Sequence, residues 1–344
     1  MPCRPQWYQC GFDVAIDWAV TERTKQKLKT YGRRTYFGAL FVAAAFVTWN
    51  ATVGAGRRAP AFQRGTAGGH ELSCEIPGAA DRKPKLLGQL PEASGLAASR
   101  RSPGLLWSMN DSGASTVVAV STTGDVRGRV GVAGAKTEDW EDISVGSCPG
   151  GSCLYVADIG EAGAKRKQMT VYRVPEPQPG DTMTGPADTF VLTYPDKPHD
   201  AEAAFVLPDQ TLYMITKGHP TILYRASLNA PGSSTAFTKV AELPIDQFLA
   251  DKDRRRSRIT DAELTPNGLW VAIRTNSELL LLRTRDMTAG KMNEVWHGDL
   301  RLFDESQGEG VAVSDDGDVY LAGEGGGRGL PGTLTHIKCQ LPKT

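Results

Sequence analysis

The chain has 344 residues, 40% hydrophobic and 23% charged, with 38 glycines and 21 prolines, an ordinary globular composition long enough for one large all-β domain. Its 39 basic residues balance 39 acidic ones, so no global charge points to nucleic acid. The balance is uneven: residues 1–55 hold seven Lys/Arg against three acids, and the remaining 32 basic and 36 acidic residues leave the rest net negative.

The first element is the apolar run from Thr35 to Trp49. It is shorter than the roughly 20 residues a bilayer span takes and matches a signal-peptide core of about 7–15. Val53-Gly54-Ala55 provides small residues for cleavage after Ala55, and Arg33-Arg34 stand before the run as in a loose twin-arginine signal. Two outcomes stay open: export to the periplasm or outside the cell with cleavage, or anchoring in the membrane by residues 35–56 behind a cytoplasmic lead. Residues 1–55 are therefore read as signal peptide or anchor, 56–72 as a flexible Gly-rich linker, and 73–344 as the folded domain.

Export places the later cysteines in an oxidising compartment. Cys148 and Cys153 flank Pro149-Gly150-Gly151-Ser152 at an expected hairpin tip, where a disulfide closes easily. Cys74 and Cys339 lie near opposite ends of the domain, and their pairing would tie its termini together.

From Ser73 onward apolar runs alternate with turn residues, and a short phrase recurs five times. It consists of an acid, a small apolar strand, a turn and a second apolar strand with a polar end. The copies begin at Glu92, Glu141, Glu202, Asp261 and Glu309. Glu202 to Tyr213 and Glu309 to Tyr320 keep the same spacing; Trp107 takes the Tyr place in the first copy. The fourth copy fits least well: aligning Asn267-Gly268 with Asp316-Gly317 sets Thr260, not Asp261, opposite Glu309. Asp261 is kept as the acid, with the register open by one. Two further apolar stretches follow each of the first four copies, such as Val117–Val120 and Val126–Val132. After the last copy only Thr333–Leu341 remains, and Lys85–Leu90 before the first can supply the missing strand. A hairpin repeat of about 50 residues is the signature of a β-propeller. The expected fold is one all-β propeller of five four-stranded blades, with six as the alternative, its ring closed by the N-terminal strand.

In a propeller the first strand of each blade lines the channel, so an acid opening each one would form a ring at one mouth. Glu92, Glu141, Glu202, Asp261 and Glu309 are the candidate metal ligands, because carboxylates that close repel one another unless a cation or hydrogen bonds compensate. Hard oxygens in a ring suit Ca²⁺; the same acids could instead cap strands. The second strands end on that face with Asn110-Asp111, Asp158, Lys217, Arg274 and Glu324, the candidate ligand-binding residues. Lys217 and Arg274 either meet an anionic ligand or neutralise the ring internally. No nucleophile elbow, phosphate loop or HExxH helix occurs in the sequence.

The phrases LPEASGLAASRR, LLWSMNDSG, DWEDIS, LYVADIG, HDAEAAFV and GEGVAVSDDG, with LAGEGG after the last, resemble exported bacterial β-propellers described as phytase-like, over about residues 86–325. The resemblance implies Ca²⁺ held by channel carboxylates and hydrolysis of phosphate or carboxyl esters. Residue by residue it points at Glu92, Asn110, Asp111, Glu141, Asp142, Asp158, Glu202, Lys217, Arg274, Glu309 and Glu324. It departs from the family at Glu161-Ala162, where an Asp-Asn pair is expected. Two functions follow. One is an exported binding propeller, expected as a monomer, that holds a small anionic ligand, a glycan or an envelope protein. The other is a Ca²⁺-dependent ester hydrolase.

Overall fold

Nearly all of the chain from Lys85 to Lys343 is strand and turn. The computed structural model describes residues 65–67, 70–75, 77, 83–161, 163, 165–251, 253, 255–293, 295–326 and 329–343. The segment read as signal peptide or anchor, and residues 56–64 of the expected linker, lie outside the described residues.

Five antiparallel blades are arranged in a ring, so the five-bladed reading holds and the six-bladed alternative does not. From the axis outward, the first blade comprises Ala93–Ala98, Leu105–Asn110, Thr116–Ser121 and Val126–Gly131. The second comprises Trp140–Cys148, Gly151–Asp158, Gln168–Pro175 and Asp188–Thr193, with Ser234–Ala236 added in parallel at its outer edge. The third has Ala201–Val206, Thr211–Thr216, Thr221–Ser227 and Thr238–Leu243, and the fourth Ile259–Leu264, Trp270–Thr275, Glu278–Arg283 and Trp296–Asp299. The fifth begins with Gln307–Val313, Asp318–Glu324 and Gly332–Gln340. The turns read from Asn267-Gly268 and Asp316-Gly317 have positive φ at their glycines, 73° and 83°, a region closed to most side chains.

The outer edge of the fifth blade is shared by two pieces of the N-terminal chain. Lys85–Leu87 pairs with Gly332–Leu334, as expected, and His70–Glu75 pairs further along through Ser73–Gln340 and Cys74–Cys339. Gly65–Ala67 folds back on His70–Glu75 as a hairpin, so strand pairing reaches into the end of the segment read as linker. The Cys74–Cys339 and Cys148–Cys153 disulfides both form.

Side chains on a blade face its two neighbours, and an apolar cluster fills each of the five interfaces. Trp107, Trp140 and Ile143 join the first and second blades, and Trp270, Trp296 and Phe303 join the fourth and fifth. The junction between the fifth and first is completed by Leu87 and Leu90, beside Leu96 and Leu334. The closing segment therefore supplies core as well as hydrogen bonds. Near the axis the inner strands approach too closely for side chains at every position. A Cβ on Gly95 would fall 2.6 Å from Ile143 N, and one on Gly310 would fall 2.7 Å from Leu96 Cβ.

The Cys74–Cys339 bridge spans 265 residues, which the chain-entropy account values at about 5 kcal/mol. Replacing both cysteines by serine should lower Tm by about 10 °C, while the same change at Cys148 and Cys153 should cost less. Differential scanning calorimetry checks this; equal effects would mean that the long bridge does not hold the ring closed.

Candidate functional site at the channel mouth

Every inner strand breaks register with its partner just after it starts. The irregularity falls between Ala93 and Leu96, Trp140 and Asp142, Ala201 and Ala203, Ile259 and Asp261, and Gly308 and Gly310. Such a bulge inserts an extra residue and re-aims its side chain. The inserted residues in four blades are Glu141, Glu202, Thr260 and Glu309, and Ser94 begins the irregular stretch in the first. Ser94 Oγ donates to Glu141 O (2.7 Å) and Thr260 Oγ1 donates to Glu309 O (2.9 Å), so each hydroxyl ties its blade to the next.

Three of the five expected acids thus occupy the ring, and two do not. Glu92 precedes the first strand on an exposed turn, where it accepts Ser112 Oγ (2.9 Å). Asp261 lies one residue beyond the bulge and is fully buried. The turn alignment that set Thr260 opposite Glu309 is the correct register.

Lys217, the residue after the second strand of the third blade, donates from Nζ to Glu202 Oε1. Burial and the neighbouring Glu202 and Asp139 push Glu141 well above the ordinary carboxyl range. Glu202 is raised to about 7 because burial outweighs the Lys217 ammonium. Glu309 is raised to about 8 by burial and Glu202, against relief from Gln307 Nε2. Burial disfavours the charged Lys217, yet Glu202, Glu141 and Glu309 overcome it and hold its pKa above the usual value. On the rim, Glu324 rises to about 7 through burial, Asp111 and Glu92, and Asp111 rises through burial and Glu92. Among the described residues, the buried Oδ1 atoms of Asn110 and Asp111 have no hydrogen-bond partner, although the Asp111 carboxylate is also hydrogen-bonded by Ser112.

Two expected ligand-binding residues are committed elsewhere. Asp158 accepts the backbone N–H groups of Glu138 (3.2 Å) and Asp139 (3.0 Å) and pairs with Arg166 (2.7 Å), which shapes the loop leading into Glu141. Arg274 is fully buried: Nη1 donates to Gly310 O (2.7 Å) and Ala322 O (2.8 Å), and Nη2 to Glu305. It rivets the fourth blade to the fifth and presents nothing to a ligand.

Below the mouth, Asp142, Asp261 and Glu263 are buried between the inner strands. Inner strands are sheet edges, and their unpaired N–H groups need acceptors. Asp142 Oδ2 takes Ala204 N (2.5 Å), and Asp261 Oδ2 takes Val311 N (2.5 Å) and Leu96 N (3.2 Å), so Asp261 joins three blades. Burial raises Asp261 to about 7, with those N–H bonds opposing, and raises Asp142 and Glu263 strongly. Glu263 and Asp139 lie outside the sequence-based candidates. The alternation Asp261-Ala262-Glu263 in an otherwise apolar strand was the available signal for Glu263. Among the described residues, no three His, Cys, Asp or Glu side chains are arranged to hold a common metal ion.

Fold and site together define a five-bladed β-propeller with an acidic channel mouth. Neither a family model nor a curated protein matches the chain. Among solved structures it is similar to the PQQ-bound aldose sugar dehydrogenase of Streptomyces coelicolor, with 10% identity, 78% of this chain and 98% of that one covered, and a TM-score of 0.44. It is also similar to a gluconolactonase of Xanthomonas campestris (11% identity, 71% and 72% covered, TM-score 0.38). Likenesses at this level assign no activity.

The raised carboxyls imply a definite pH dependence. Glu202, Asp261, Glu309 and Glu324 hold protons more tightly folded than unfolded. Their contribution to stability is whole below the unfolded value of about 4 and is lost as pH rises through about 7–8. Urea midpoints should therefore be higher at pH 5.5 than at pH 9, and Glu309→Gln should flatten the difference. A midpoint that rises toward pH 9 would contradict the buried ring.

Proposed function

We propose that this protein is an exported β-propeller binding module whose acidic mouth receives a cationic, donor-rich group, such as a basic segment of an envelope protein. One observation carries the reading: among the described residues, Asn110 Oδ1 and Asp111 Oδ1 are buried acceptors without donors, and Asp111 is set beside Glu92 and Glu324. A buried acceptor left unpaired costs about 1–3 kcal/mol, a penalty relieved when the rim opens and a ligand's N–H groups reach it. An anionic ligand finds little to hold it, since Arg274 is sealed between blades and Lys217 is tied to Glu202. Export is supported by the two disulfides and by the basic residues ahead of the apolar run at 35–49.

The Ca²⁺-dependent ester hydrolase rests on the phytase-like phrases of the sequence. It would need the ring carboxylates to close round an ion, and among the described residues no three of them are so arranged.

Fluorescence anisotropy with a labelled oligolysine peptide and a labelled oligoglutamate peptide tests the binding reading. The basic peptide should bind and weaken with added salt, and Asp111→Asn with Glu324→Gln should reduce affinity about tenfold, the loss expected for a charge-assisted contact. Preference for the acidic peptide, or Ca²⁺-dependent turnover of a phosphate or carboxyl ester, would overturn it.

A further inference from the structure

We infer that Lys217 is the resident cation of the ring: its ammonium takes the place that the family resemblance gives to Ca²⁺ and makes the mouth independent of metal. The backbone fixes it there. Lys217 N donates to Asp200 O (2.9 Å) at the entrance of the inner strand, and the stem is largely covered, with the side chain 27% exposed. Nζ bonds to Glu202, whose side chain is 4% exposed. Glu141 and Glu309 lie within electrostatic reach of the same ammonium, as does Glu324 on the rim.

The equivalent positions in the other blades show that this lysine is particular to one site. The residues that follow the second strands are Asp111, Ile159, Lys217, Asn276 and Gly325, and Lys217 alone is cationic. Four acids drawn from three blades therefore share one built-in positive charge. Ca²⁺ demands six to eight oxygens at about 2.3–2.6 Å, while an ammonium is satisfied by three acceptors. As folded, Nζ is bonded to Glu202, and no three acids converge on a common point among the described residues, which falls well short of a Ca²⁺ shell. Lys217 thus determines which charge class the mouth accepts. It excludes a divalent ion from the ring and leaves the rim residues Asn110 and Asp111 outside its reach.

Removing the ammonium should leave the ring's negative charge uncompensated, so that its acids close round an added cation instead. With Lys217→Met the apolar stem remains, and Glu141, Glu202, Glu309 and Glu324 are left around the gap. The experiment compares thermal melting in EDTA and in Ca²⁺, together with Tb³⁺ luminescence sensitised by the protein's aromatic residues, for wild type, Lys217→Met and Lys217→Arg. Wild type and Lys217→Arg should melt at the same temperature in EDTA and Ca²⁺ and show no Tb³⁺ emission. Lys217→Met should gain Tb³⁺ emission, and its Tm should rise by about 5 °C or more once Ca²⁺ exceeds Kd a hundredfold. Wild type that binds Tb³⁺ or is stabilised by Ca²⁺ would overturn the inference, as would a folded Lys217→Met that ignores both ions. If Lys217→Met fails to fold in either condition, wild-type Tb³⁺ emission alone decides. The inference stands apart from the proposed ligand, since failure of a basic peptide to bind would leave these melting and luminescence results unchanged.

Discussion

Five inner strands meeting around a narrow axis present five unpaired edges to one another, and the rest of the structure depends on how those edges are satisfied. Space is short enough that Gly95 and Gly310 lack room for a Cβ. Where side chains do enter, they are acceptors for stranded N–H groups: Asp142 for Ala204, and Asp261 for Val311 and Leu96. A carboxylate placed there loses its hydration, so the constraint that closes the ring also raises the proton affinity of its acids. Structure at the axis and electrostatics at the mouth have one origin.

The bulge at the start of each inner strand carries that constraint to the surface. By inserting a residue it lifts Glu141, Glu202 and Glu309 toward the channel mouth, while Ser94 and Thr260 use the same place to fasten neighbouring blades. Three acids at a shared height would repel, and Lys217 lies on the one blade where it reaches Glu202 directly. The closing segment contributes from the outside. Leu87 and Leu90 complete the last interface, and Cys74–Cys339 prevents the edge from peeling away.

Much of this was legible in the sequence because a repeat reveals spacing even where residue types change. The five copies, the missing strand of the last blade, its donor near Lys85 and both disulfides follow from counting positions. The ring is only partly legible because residue type and strand register point to different positions. Residue type points to Glu92 and Asp261, whereas the bulge is occupied by Ser94 and Thr260 in those blades. Arg274 failed for a different reason: sequence shows a cation at a strand end but not that a neighbouring blade covers it with Glu305, Gly310 and Ala322. Burial between blades is set by residues far apart in the chain, and no local pattern reports it.

The central claim is that carboxyl groups from separate blades are brought together and buried at one mouth. Site-resolved ¹³C NMR of glutamate side-chain carboxyls, followed across a pH titration, measures that gathering directly. The account predicts that Glu202 and Glu324 titrate near pH 7 and Glu309 near pH 8. If all three titrate near the ordinary glutamate value of about 4.3, the acids are solvated and apart, and the ring described here does not exist.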